Sequence, residues 1–175
     1  MKLGVPKEPK GETRVGIVPS SMKKLAKAGF EVLIEKGAGM SANYNDADYE
    51  AAGAKIGSRE DVLACENLVC IRFPGIEGIA AGTNLACVSD PFRNPQYVKA
   101  CMDANITLLS MDMIPRRLSR AQSMDVNSSQ DNLAGYKAVL LGAAHVPRGI
   151  PMMTTSAGTI RPAKVVIMGS GVAGL

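Results

Sequence analysis

The sequence predicts an α/β protein built on a largely parallel sheet, and three observations predict it. Short strand-like runs alternate with segments of helical spacing along the chain. The last eleven residues read as a buried strand, Val165-Val166-Ile167-Met168, running into a complete Gly-x-Gly-x-x-Gly turn at Gly169, Gly171 and Gly174. A composition of 46% hydrophobic and 21% charged residues is that of a globular domain, neither disordered nor membrane-spanning.

The elements follow in order. Leu3 to Pro6 is a short first strand. Met22, Leu25, Ala26 and Gly29 then fall at helical spacing, with Ser20 or Ser21 as cap and Gly29 as stop. Phe30 to Ile34 is the next strand, and Leu68 to Phe73, Leu85 to Ser89 and Ile106 to Met113 are later ones. Between them lie expected helices at Asp46 to Ala52, Arg59 to Ala64 and Gln96 to Ala104. The first strand ends in Val5-Pro6-Lys7-Glu8 and not in a glycine-rich turn, so the first β-α-β unit has a Rossmann shape without phosphate chemistry.

From Ser123 to Ala144 the pattern is a long helix ended by Pro147, with Leu133, Tyr136, Leu140, Leu141 and Ala144 on one broad face. Such a helix connects domains. Ile150 to Pro162 is a polar, small-residue stretch that delivers the chain to the glycine-motif strand. The expected organisation is therefore a Rossmann-like domain over residues 1–122, a connecting helix over 123–146, and the incomplete start of a dinucleotide-binding domain over 147–175.

Composition also narrows function. Twenty basic against 16 acidic residues are spread along the chain and aromatics make up only 4%, so there is neither a basic stripe nor a stacking platform for nucleic acid. Cysteines at 65, 70, 87 and 101 lack the paired short spacing of a zinc site and His145 is the single histidine, so no metal is expected and the thiols read as small buried hydrophobes in a reducing compartment. No apolar run approaches the ~18 residues of a transmembrane helix, and the opening Met1-Lys2-Leu3-Gly4-Val5-Pro6-Lys7-Glu8 does not resemble a signal peptide.

The glycines of the closing motif have distinct tasks: the first permits the tight turn, the second lets backbone approach a pyrophosphate, and the third lets the following helix pack on the strand. Upstream, Arg116 to Gln130 packs arginines, amides, hydroxyls and a carboxylate into fifteen residues between a strand and a helix. Open α/β sheets bind ligands at such strand ends, and these side chains suit a carboxamide and ribose hydroxyls. A solvated loop with Ser123 as a helix cap is the alternative on chemistry alone.

SRAQSMD, SSQ-x-NLAGYKAV, PMM-x-T-x-AGTI-x-PAKV and G-x-GVAGL, in this order, resemble the NAD(H)-binding component of the proton-translocating nicotinamide nucleotide transhydrogenases. The amino end, with GVPKE, ETRV and VLIEKGAG, resembles the start of the wider alanine dehydrogenase and transhydrogenase family. The resemblance implies an NAD(H) site in a cleft between two domains and direct hydride transfer to NADP(H) on a partner component. It also implies a membrane component that couples transfer to proton movement, a homodimer, and a cytoplasmic location peripheral to the inner membrane through partner subunits. Transferred to this chain, Arg117, Gln122, Asp125 and Ser128 form the nicotinamide-side loop. Gln122 orients the nicotinamide and its ribose, with Asp125 and Ser128 bonding around the same end. Arg117 holds the loop's carboxylate or faces the ring region as a fixed cation, and Gly169, Gly171 and Gly174 meet the pyrophosphate. Gln122 and Asp125 are the candidate catalytic residues.

Some positions depart from the family. Val88 stands where alanine dehydrogenases carry a histidine, and their lysine falls at Ile71 or Arg72; neither suits amino-acid deamination. Arg14 matches a family arginine near the substrate cleft, and its role, like that of Arg72, stays open. Gly75 to Thr83 is short for the family, and Asn127 replaces an apolar residue in the signature loop. An alanine dehydrogenase-like oxidoreductase and a truncated, non-catalytic assembly module are the alternatives. The 175-residue chain alone is expected to be inactive, to bind NADH little or not at all, and to be poorly soluble through its unpaired strand at Val165 to Met168.

Overall fold

The computed structural model describes residues 1–175, which form two compact units, Met1–Ile114 and Pro115–Leu175. In the first, six strands alternate with helices: β1 (Lys2–Val5), α1 (Met22–Lys27), β2 (Glu31–Glu35), α2 (Asp46–Ala51), β3 (Lys55–Gly57), α3 (Arg59–Leu63), β4 (Asn67–Arg72), β5 (Asn84–Val88), α4 (Pro95–Asp103) and β6 (Thr107–Ser110). The sheet is wholly parallel, in the order β3-β2-β1-β4-β5-β6. This is the doubly wound order, with its topological switch between β1 and β4.

Local chemistry explains the short helices. Asn45 and Ser58 open α2 and α3 with full capping boxes, each side chain accepting from the third helical amide while Asp48 or Asp61 reaches back. Two apolar clusters lie under the helices. One gathers Leu3, Val5, Met22, Val32, Ile34 and Tyr49, and the other Val62, Leu68, Cys70, Leu85, Cys87 and Cys101. Burial alternates along β4 and β5, as the period of a strand requires. All four cysteines are free and buried. A hydrogen bond with Cys87 and burial push the Cys70 thiol well above its ordinary pKa.

The second unit holds α5 (Val126–His145) and a hairpin of β7 (Met153–Thr155) and β8 (Gly158–Ile160). Four expectations are corrected here. The long helix starts at Val126 because Asp125 caps it, and Gln122–Met124 is instead a 3-10 turn. Met111–Met113 is likewise a 3-10 turn and not strand, since β6 stops at Ser110. Ile150 to Pro162 contains the hairpin. Val165 to Met168 pairs into neither sheet and is exposed, because a strand exists only through ladder partners and none of these residues supplies one. No helix is long and apolar enough to cross a membrane.

Candidate functional site

The second unit sets one half of the expected dinucleotide site at the start of α5 and the other against the middle of the same helix. At its amino end, Asp125 has extended backbone geometry and its Oδ1 accepts from the Ser128 amide at 3.0 Å. The hydrogen bonds from Ser128 hold the Asp125 carboxyl below the ordinary carboxylate range, with the nearby Arg116 adding to the effect. Arg116 Nη1 donates to Ser128 Oγ at 3.3 Å. The loop's carboxylate thus has Arg116 as its neighbouring cation, whereas Arg117 is exposed and joins no ion pair. Gln122 occupies the 3-10 turn just before the cap and is exposed. Its side-chain amide is open to a ligand carbonyl and hydroxyls.

Sequence reasoning overlooked Arg116. It sits beside Arg117, and no periodicity marks which of two adjacent arginines a turn will aim back at the helix. Ser123 does not cap α5; its Oγ reaches Arg120 O at 3.5 Å.

The glycine motif forms the other half. Gly169 has φ +112, a conformation that L side chains rarely adopt. A Cβ on Gly174 would overlap the Gly169 carbonyl oxygen and lie 3.1 Å from its carbonyl carbon, so the third glycine permits the turn to close on the first. Gly174 and Leu175 amides both donate to Gly171 O at 3.0 Å. A Cβ at Gly171 would meet nothing within 4 Å. The backbone there lies open to approach, which is what a pyrophosphate requires of the second glycine. The residues present therefore fit a dinucleotide's phosphates at the turn and its carboxamide end at the loop. A groove of about 1220 Å³ runs between α5 and the closing segment, lined by Tyr136, Val139 and Ala143 of α5 and by Val165, Ile167 and Ala173.

The first unit carries a charged cluster at its topological switch. Glu8 follows β1, and its carboxylate takes the Ile71 amide at 2.6 Å and the Arg72 amide at 2.9 Å, extending the β1–β4 pairing with a side chain. Desolvation raises the Glu8 pKa against those hydrogen bonds. Arg14 grips Glu12 with both Nε (2.8 Å) and Nη2 (2.7 Å), and Arg72 Nε adds a third charged contact at 3.0 Å. The Arg14 hydrogen bonds hold the Glu12 carboxyl down at about 2. Arg14 and Arg72 are thus both partners of Glu12. At the ends of β5 and β6, Asp112 accepts from the Ser89 and Asp90 amides and from Ser110 Oγ. No group of three or more histidine, cysteine and acidic side chains is arranged to hold a metal ion.

Residues 4–134 match the family model "Alanine dehydrogenase/PNT, N-terminal domain", and residues 138–175 match "Alanine dehydrogenase/PNT, C-terminal domain". The chain is 44% identical to an NAD(P) transhydrogenase alpha-subunit polypeptide of Rhodospirillum rubrum, over 100% of this chain and 48% of that protein. It is 31% identical to an alanine dehydrogenase of Methanococcus maripaludis, over 99% of this chain and 48% of that one. The crystal structure of transhydrogenase from Sinorhizobium meliloti superposes with a TM-score of 0.95 at 40% identity, covering 99% of this chain and 53% of that chain. The chain thus spans about half the length of the relatives it matches. Two consecutive domain models of one family account for nearly all of its residues, and the chain belongs to the alanine dehydrogenase/PNT family.

Proposed function

We propose that these residues form the NAD(H)-binding part of a proton-translocating NAD(P) transhydrogenase. The observation that carries this reading is that the Gln122–Asp125–Ser128 loop lies at the start of α5 and the glycine turn packs against the middle of the same helix at Gly135, each with groups suited to one end of a dinucleotide. The greater identity to a transhydrogenase alpha subunit than to an alanine dehydrogenase supports the same branch. The lone histidine, His145, lies in the last turn of α5 and offers no proton shuttle in the loop.

NADH supplies the hydride when bound. The chain's own residues bind and orient: Gln122 fixes the carboxamide and ribose through its amide, Asp125 and Ser128 bond around the same end, and Arg117 provides an exposed cation. Gly169, Gly171 and Gly174 keep the backbone close to the pyrophosphate. No nucleophile or general base is needed, so the site works by position and electrostatics. The acceptor, NADP⁺, sits on a partner component, and a membrane component couples transfer to proton translocation. The subunit works as a homodimer on the cytoplasmic side of the inner membrane, held there by its partners, and the 175 residues alone turn over no hydride.

The test is NADH-driven reduction of NADP⁺ by the subunit carrying these residues, assembled with its membrane and NADP(H)-binding components. Gln122→Ala is expected to lower kcat/KM for NADH by roughly tenfold or more while NADP⁺ affinity stays unchanged. An unaltered rate contradicts the proposal.

A further inference from the structure

Helix α5 contains two interior glycines, Gly135 and Gly142. An interior glycine costs a helix about 1 kcal/mol relative to alanine, so each calls for a local reason. At Gly142 there is none in space: a Cβ would meet nothing within 4 Å. At Gly135 a Cβ would overlap the carbonyl oxygen of Ala173 and lie 3.0 Å from its carbonyl carbon and 3.2 Å from its Cα. The opposing atoms are all backbone, so no side chain can rotate away to make room. Ala173 lies inside the Gly-x-Gly-x-x-Gly turn, between Gly171 and Gly174.

That turn has little slack. Gly174 already rests against the Gly169 carbonyl, and the Gly174 and Leu175 amides are tied to Gly171 O. A methyl at position 135 therefore displaces the turn as a body. The cap of the same helix, Asp125, lies ten residues earlier, which at 1.5 Å per residue is about 15 Å along its axis. Helix α5 is thus a rigid spacer between the nicotinamide-side loop and the phosphate turn, and Gly135 is where the turn is seated on it.

We infer that Gly135 is a positioning residue: its missing side chain sets the distance of the glycine-rich turn from α5 and hence the register of the pyrophosphate against the Gln122–Asp125–Ser128 loop. The inference rests on the dinucleotide reading of the site. It goes beyond that reading in assigning a role to a residue with no reach to the ligand.

The experiment compares Gly135→Ala with Gly142→Ala in the ¹⁵N-labelled subunit that carries these residues, following backbone amide resonances, thermal midpoint, and NADH titration to millimolar concentration. Both substitutions add helix propensity. Gly142→Ala is expected to raise the thermal midpoint and leave the amides of Gly169, Gly171 and Gly174 and the NADH affinity unchanged. Gly135→Ala is expected to shift those three amides and weaken NADH binding about tenfold with α5 still helical by circular dichroism. Turn resonances and affinity matching those of Gly142→Ala overturn the inference. A second measurement needs no substitution: nuclear Overhauser contacts between the Gly135 α-protons and Ala173 are expected in the wild-type subunit, and their absence also overturns it. A wild-type subunit whose resonances ignore NADH sinks the dinucleotide reading instead, while the resonance comparison still decides whether Gly135 seats the turn.

Discussion

The Asp125 carboxylate and the Ser128 amide are joined by a 3.0 Å hydrogen bond that both starts α5 and fixes the loop before it. One interaction therefore serves helix formation and the candidate site together. Asparagine caps helices about as well as aspartate, whereas alanine does not. Asp125→Ala is expected to lower the thermal midpoint and helical ellipticity, and Asp125→Asn to preserve both. The Asp125 pKa is depressed, so its contribution is present above the ordinary aspartate pKa and lost as pH falls through the lower folded value. An equal thermal midpoint for Asp125→Ala and wild type at neutral pH contradicts the cap's role.

Glu12 governs acid stability in the first unit. Its side chain is only 9% exposed and receives Arg14 and Arg72, which are themselves 38% and 56% exposed. Its folded pKa of about 2 lies below the ordinary 4.5. Its contribution is thus present above about pH 4.5 and lost as pH falls toward 2. Solvent around the guanidiniums screens the pair, and Glu12→Gln is expected to cost about 1–2 kcal/mol at neutral pH. Urea unfolding at pH 7 and pH 3 checks this: the gap between variant and wild type should narrow at the lower pH. A gap that stays constant removes Glu12 from the account.

Tyr49 acts at the other end of the pH scale. Its side chain is 0% exposed, and its hydroxyl donates to Ile17 O at 2.9 Å. Burial pushes its pKa up to about 12. A raised folded value means that the contribution is complete below pH 10 and disappears as pH rises toward 12. Tyr49→Phe is expected to lose about 1–2 kcal/mol near neutrality and to flatten the alkaline limb of the stability curve. An alkaline limb that keeps its slope in the variant assigns the titration elsewhere.

The parallel sheet was legible because its inner strands carry buried apolar side chains in alternation, as Val32 and Ile34 do, between segments of helical spacing. Strand β3 escaped notice: Lys55-Ile56-Gly57 has three residues and one apolar side chain, and only its place beside β2 makes it a strand. The β7–β8 hairpin was hidden for a related reason, since Met153-Thr154-Thr155 and Gly158-Thr159-Ile160 are too short to show a period. Val165 to Met168 fails in the opposite sense. Four apolar residues state a propensity, but pairing is a property of two segments. At the site, the polar loop and the glycine turn were legible from residue type and spacing, whereas Gln122 and Asp125 were singled out by the family resemblance alone. The Arg116–Ser128 contact, the Glu12 ion pairs and the seat at Gly135 were not, because each depends on distances between segments that sequence order does not encode.

The central claim is that the residues from Gln122 to Ser128 recognise the nicotinamide end of NADH. The deciding measurement titrates the ¹⁵N-labelled subunit that carries these residues with reduced nicotinamide mononucleotide and, separately, with AMP, following the Gln122 side-chain amide and the backbone amides of Asp125 and Ser128. Recognition of the nicotinamide end predicts saturable shifts at all three residues with the nicotinamide half, lost at Asp125 and Ser128 in Gln122→Ala, and no response there to AMP. Silence toward the nicotinamide half, or an equal response to both halves, contradicts it.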